Sequence, residues 1–307
     1  MNKKIVVIGS SNVDLIMKMD RLPKVGETIT DATFMQVYGG KGANQAVAAA
    51  RAGGDVAFVN CVGNDAYTPQ MLTNFETEGM HTQFVFQEDK LVSGHALVMI
   101  GSEGNNYLSV APGANAALTP EKVKKATKII KEAAIIVMQY EIPLETIEYV
   151  FDLAQDYKIP VLWNFAPAQK FNIDYLKKTE ILVVNETEAS FISKIEVTDR
   201  ATAEKAVYKL LELGSKLIIL TLGADGVIYG NKNEMSYVPA FKVKAEDTTA
   251  AGDTFCGSFA VSFVEGKPLN EVITFSSAAA ALAVTRIGAQ PSIPKRIDID
   301  RFLIENK

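Results

Sequence analysis

The sequence predicts an α/β protein built around a largely parallel central sheet. From residue 119 onward, apolar runs of strand length alternate with stretches of helix length. That is the rhythm of right-handed βαβ units. Residues 82–111 differ in character, with three strand-like runs and a turn-rich segment, which argues for a hairpin rather than a helical crossover.

Residues 5–8 are a β-branched run closed by Gly9 and read as a buried strand. Residues 13–19 alternate in part and break at Leu22-Pro23. In 42–53, Ala43, Ala46, Val47 and Ala50 fall at the i, i+3, i+4, i+7 spacing of a helix face. A strand follows at 56–62, then a helix at 68–79 with Gly79 as its C-terminal cap. Strand-like runs at 84–86, 96–100 and 107–110, the last two joined by a turn over 101–106, group with residues near 13–38 into a small β-layer outside the main sheet. Helices at 120–131, 144–157, from 186, and at 203–213 then alternate with strands at 135–139, 160–163, 181–184 and 217–222. Two apolar helices, near 252–265 and 269–284, pack on the sheet. No repeat, linker or low-complexity tract interrupts the chain.

The 307 residues are 48% hydrophobic and 22% charged, enough for a large core in one or two domains. The net charge is −5 and no Lys/Arg run occurs, so nucleic acid and anionic membranes have no electrostatic support as partners. Cys61 and Cys256 stand far apart in apolar stretches and read as buried small side chains. With only His81 and His95 available, a histidine metal site or a Ser-His-Asp triad is disfavoured. The N-terminus enters a strand too early for a signal segment, and no apolar stretch is long enough for a bilayer. The location expected is cytoplasmic.

Ligands of parallel sheets bind beyond the carboxyl ends of the strands. The loops there are 9–14, 139–143, 164–167, 185–188 and 221–226, and each carries Asn, Glu, Asp or Thr directly after an apolar run. Any one could be turn chemistry; five at equivalent positions point to a site.

The strongest local signal is Asp247-Thr248-Thr249-Ala250-Ala251-Gly252-Asp253 before a long apolar helix. Small residues let a ligand approach first-turn amides that have no intrahelical partner, which makes Ala250, Ala251 and Gly252 an anion hole. Asp253 can accept the proton of an attacking hydroxyl, or equally cap the helix. Gly39-Gly40-Lys41-Gly42-Ala43-Asn44-Gln45 is neither a Walker A loop nor a dinucleotide fingerprint, since Gln45 stands where the third glycine belongs. It serves equally as a tight turn or a binding loop. Asn12 and Asp14, two apart on an extended segment, point the same way and suit vicinal hydroxyls, or an Asx turn.

These motifs, with Asn185-Glu186-Thr187-Glu188 between them, occur in the order seen in the ribokinase-like (PfkB) carbohydrate kinase family, which the whole chain resembles. Residues 39–47, 115–118 and 286–292 narrow the resemblance to members that phosphorylate ribose. The resemblance implies a Rossmann-like, three-layer α/β/α fold with a mainly parallel central sheet plus a small β-sheet lid. Residues 1–307 would form a single domain, with the lid at about 13–38 and 94–111.

The implied reaction is ATP-dependent phosphorylation of D-ribose at O5 to ribose 5-phosphate, with Mg²⁺ and a general base. By this likeness Asn12, Asp14, Gly40, Lys41, Gly42, Asn44 and Glu141 bind the sugar, and Asp253 is the base. Asn185, Thr221, Gly223, Gly226, Gly252 and Ser277 bind ATP, and Glu188 organises Mg²⁺ through water. Asp247, Thr249, Ala283, Arg286, Gly288 and Ser292 would surround K⁺ with oxygen ligands. Ala250 replaces a glycine of the wider family, Phe165 interrupts an Asn-Pro-Ala-Pro run at 164–167, and Ser277 stands where a bulkier residue borders adenine. A homodimer through the lid strands would bury open sheet edges. Deoxyribose, another furanose or a nucleoside are alternative substrates, and a non-catalytic sugar- or nucleotide-binding regulator is the rival from another class.

Overall fold

A computed structural model describes residues 4–102 and 106–306. The large sheet takes β1 (Lys4–Ile8), β4 (Asp55–Gly63), β5 (His81–Glu88), β8 (Ile135–Met138), β9 (Val161–Asn164), β10 (Ile181–Asn185), β11 (Leu217–Thr221), β12 (Val227–Gly230) and β13 (Met235–Val238). A second sheet takes β2 (Asn12–Met19), β3 (Thr33–Gly39), β6 (Gly94–Gly101) and β7 (Asn106–Ala111). Their orders are β13-β12-β11-β10-β9-β8-β1-β4-β5 and β3-β2-β6-β7.

Every pairing from β5 to β11 is parallel. A parallel sheet is covered on both faces, so its strands are apolar on both. Strand β1 shows this: Val6 and Ile8 join one buried cluster, with Val150, Phe151 and Leu210 of the helices on that side. Ile5 and Val7 join the other, with Ala46, Phe255 and Phe259. The sheet thus divides the core in two, which makes the three layers.

Two readings are corrected, and two elements are added. Residues 81–88 pair in parallel with β4 in the large sheet rather than joining the small one, because the helix Thr68–Thr77 before them closes a βαβ unit. The helix read at 120–131 is two, Pro120–Lys125 and Thr127–Lys131, parted where the Ala126 amide bonds three residues back to Val123. Strands β12 and β13 add an antiparallel edge, turned by Asn231, whose side chain accepts from the amides of Asn233 and Glu234. A last helix, Arg296–Glu305, docks through Ile299. Of the turn read at 101–106, residues 103–105 lie outside the described residues. Cys61 and Cys256 are buried free thiols. Among the described residues no helix is long and apolar enough to cross a membrane.

Strand order reverses direction at β1 and β8: one neighbour leads to β4 and β5, the other to β9 and beyond. The connections leaving these two strands part, and the crevice between them is where ligands of such sheets lie.

Candidate active site

The crevice is walled by the segment after β1 and the start of the helix Lys41–Arg51. Glu141, beyond β8, joins them: its Oε2 accepts from Ser10 Oγ at 2.5 Å and from the Lys41 amide at 3.0 Å. The two backbones run in contact. A Cβ at Gly42 would lie 2.4 Å from the Ser10 nitrogen, and one at Gly40 would lie 2.7 Å from the Asn12 nitrogen. Gly40 also has φ 86°, which glycine adopts readily. The glycine run is therefore a packing seam as well as a loop.

Across the crevice, the helix Ala251–Val264 follows Ala250, which sits in the left-handed region at φ 59°. No side chain caps this helix, so Asp253 is not the capping residue the spacing allowed. Its carboxylate, 6% exposed, accepts from Asn44 Nδ2 at 3.0 Å on Oδ2 and from Gln45 Nε2 at 2.9 Å on Oδ1. The Ala251 amide reaches back to Thr248 O at 3.3 Å. The amides of Gly252 and Asp253 carry no such bond and remain with the helix dipole as an anion-binding corner. Of the three residues read as an anion hole, Ala251 thus spends its amide within the turn.

The small sheet brings Asn12 and Asp14 over the same crevice. Asn115 holds Asn12: its Nδ2 donates to Asn12 Oδ1 at 2.8 Å and to Ser11 O at 3.1 Å, while its Oδ1 accepts from the Ser11 amide at 2.9 Å. Asp14 Oδ1 and Asn44 Oδ1 are buried with no hydrogen-bond partner, two orphaned acceptors on facing elements. Burial, then the charges of Glu141 and Asp253, push the Asp14 carboxyl up to about 7, against an opposing pull from Lys41. Burial would depress the Lys41 ammonium, but Asp253, Glu141 and Glu188 outweigh it and raise it.

Of the residues expected to bind ATP, five gather elsewhere on the same edge. A cavity of about 280 Å³ lies between the turn after β11 and the helix Leu269–Ala283, lined by Thr221, Gly223, Gly226, Gly252 and Ser277. Gly252 therefore belongs to both the cavity and the amide corner. Ser277 Oγ is buried without a partner. Phe165, which interrupts the 164–167 run, packs on Trp163 and Phe171 in the core.

Asn185 and Glu188 form a capping box at the helix Glu186–Ser193, a structural duty the spacing also encodes. Asn185 Oδ1 accepts the Glu188 amide at 2.9 Å, and Glu188 Oε2 accepts the Asn185 amide at 2.9 Å. The Asn185 NH₂ and the second Glu188 oxygen are left over. Burial, and the charges of Asp253 and Glu186, lift Glu188 to about 7 despite the Asn185 amide and Lys41. Among the described residues no three His, Cys, Asp or Glu side chains converge as a metal site; the spare Glu188 oxygen, a hard donor, fits a divalent cation held through water.

The six residues read as K⁺ ligands are brought together only in part. Asp247 Oδ1 accepts the Thr249 amide at 2.8 Å, and Oδ2 accepts the Gly288 amide at 2.9 Å. The Ala283 carbonyl accepts the Arg286 amide at 3.1 Å, and the Arg286 guanidinium points to Asp298, 3.9 Å away. Ser292 donates its hydroxyl to Ala289 O at 2.8 Å.

Sequence reasoning passed over Ser10, Gln45, Asn115, Gln139 and Asn164 as contributors to the site. Gln45 carried a signal: a large amide amid the small residues opening a helix.

A buried carboxylate beside free helix-start amides, between a polar crevice and an apolar cavity, is the arrangement of a small-molecule kinase. Residues 2–296 match the pfkB family carbohydrate kinase model, and the chain belongs to that family. It is 38% identical over 303 residues to a ribokinase of Haemophilus influenzae, covering 99% of each chain. It is 34% identical over 304 residues to a deoxyribokinase of Salmonella typhi, again covering 99% of each. The solved structure of Arabidopsis thaliana ribokinase complexed with ribose and ATP superposes with a TM-score of 0.92, at 33% identity and 99% coverage of each chain.

Proposed function

We propose that the protein catalyses ATP-dependent phosphorylation of D-ribose at O5, forming ribose 5-phosphate. The observation that carries this is Asp253: a buried carboxylate, gripped by Asn44 and Gln45, one residue after Gly252, which lines the nucleotide cavity. In the reaction a bond forms between O5 and the γ-phosphorus while the bond from that phosphorus to the ADP oxygen breaks. Asp253 takes the O5 proton as attack proceeds. The amides of Gly252 and Asp253 face the charge on the transferring group.

Asp14 and Asn44 offer their orphaned oxygens to the sugar's hydroxyls, with Asn12 beside them. Glu141 and the seam at Gly40, Lys41 and Gly42 hold that wall in place. Asn185, Thr221, Gly223, Gly226 and Ser277 receive the nucleotide. Mg²⁺, when bound, neutralises phosphate charge; Glu188 is the residue to hold it, through water. Asp247, Thr249, Ala283, Arg286, Gly288 and Ser292 are the residues that would hold K⁺, which when bound would shape the 247–252 loop.

The whole chain acts as one domain, with the small sheet as a lid that excludes water. Met17, Phe34, Leu97 and Tyr107 share one face of that sheet by register and are exposed. That apolar face and its open edges support a homodimer; sedimentation as a monomer alone would remove it. A cytoplasmic protein with no nucleic-acid or membrane partner suits ATP and a free sugar.

The deoxyribokinase relative supports 2-deoxyribose as the second reading. ADP release across ribose, 2-deoxyribose, a hexose and a nucleoside, each in K⁺ and in Na⁺, separates the readings. No sugar-dependent ADP release with any of them would sink the kinase assignment and favour a binding regulator.

A further inference from the structure

Gln45 is fully buried. Its Nε2 donates to Asp253 Oδ1 at 2.9 Å and to Asn164 Oδ1 at 3.0 Å, and its Oε1 accepts from Gln139 Nε2 at 2.7 Å. A primary amide has two N–H donors, and both are committed. The Asp253 carboxylate only accepts, and that settles which end of Gln45 is which. Turned over, Gln45 would set oxygen against the oxygens of Asp253 and Asn164, and NH₂ against the NH₂ of Gln139. The chain draws on the helix Lys41–Arg51 and the ends of β8 and β9, all rigid parts of the fold.

A carboxylate can rotate about its terminal torsion with little hindrance. Asp253 is prevented from doing so by two donors, one per oxygen. Asn44 is one, and it also carries an orphaned oxygen for ligand. Gln45 is the other, and its own groups are all used within the protein.

We propose that Gln45 is the positioning residue for Asp253. Locked by Gln139 and Asn164, it fixes the rotation of the carboxylate so that a remaining lone pair points at the attacking hydroxyl. This rests on Asp253 being the base.

The test compares Gln45→Met, Asp253→Asn and the double variant by ribose-dependent ADP release. Gln45→Met keeps the length of the side chain and removes its hydrogen bonds. Its kcat should fall by about 10–100-fold, with the ribose KM within about twofold, since Asn12 and Asp14 are untouched. The double variant should be no slower than Asp253→Asn alone, because a residue acting through the carboxylate has nothing left to act on. A merely structural residue would slow both backgrounds alike and raise KM too; that result overturns the proposal. So does an unchanged kcat in Gln45→Met while Asp253→Asn is inactive. Near-normal turnover of Asp253→Asn sinks the base assignment itself. Gln139→Met, one step further back, should show the same pattern at smaller size, and it carries the test if Gln45→Met does not fold.

Discussion

The Asn44 amide lies 3.0 Å from Asp253 Oδ2, joining the first turns of two helices whose residues stand 209 positions apart. Neither residue is placed by its own neighbourhood in the sequence. The contact exists because both helices pack on one face of the sheet and open toward the same crevice.

Replacing Asp253 by Asn removes the proposed proton acceptor and keeps the shape. Turnover should fall by about 10²–10⁴-fold, with ribose binding by calorimetry little changed. Loss of binding together with turnover would mean that Asp253 serves the ground state instead.

With Asp14 holding the sugar as proposed, ribose binding should depend on pH. Its carboxyl is pushed up to about 7 in the free protein, and the ionised form accepts hydroxyl hydrogen bonds better. The ribose KM should therefore fall as pH rises from about 6 to 8, and Asp14→Asn should flatten that slope. The stability sign is the opposite. A group whose folded value lies above its ordinary 3.8 favours folding most below that value, and loses the contribution as pH rises through 7. Thermal melts of the ligand-free protein across that range should show the loss, and Asp14→Asn should abolish its share.

The orphaned oxygens of Asp14 and Asn44 need hydroxyl donors. A sugar lacking one leaves a buried acceptor unpaired, at about 1–3 kcal/mol. The kcat/KM for 2-deoxyribose should thus lie about 10–100-fold below that for ribose. Equal values, or a preference for the deoxy sugar, would favour the second reading.

At Gly252 an added Cβ would meet nothing within 4 Å, because its space is the cavity. Gly252→Ala should leave the melting temperature unchanged or slightly higher, since alanine suits a helix better. It should still weaken ATP use, as a raised KM or a reduced kcat. A variant with native kinetics would place the transferring phosphate elsewhere.

Much of this was legible along the chain because parallel strands and amphipathic helices announce themselves by period. The motifs were local too: Gly39–Gln45 and Asp247–Asp253 are each contiguous. What escaped was of two kinds. The edge strands β12 and β13 follow β11 with no α-helix between them, so the helix–strand rhythm does not announce them. Long-range polar contacts, Gln45 with Asp253 or Asn115 with Ser11, depend on which loops the sheet order brings together, and single amides carry no periodicity. The Asn185–Glu188 spacing was ambiguous for a physical reason: the geometry that caps a helix also places a spare carboxylate at its start.

The contact of residues 9–12 with the start of the Lys41–Arg51 helix also limits how this enzyme can be redesigned. Side chains at 40 or 42 would drive the two backbones apart, so variation there dismantles the wall instead of reshaping it. Efforts to alter the preferred sugar have few letters to change on this side, chiefly Asn12, Asp14, Lys41 and Asn44. Of these, Asn44 is bound to the Asp253 carboxylate as well, so on the proposed mechanism a new substrate preference sought at that position comes with altered chemistry.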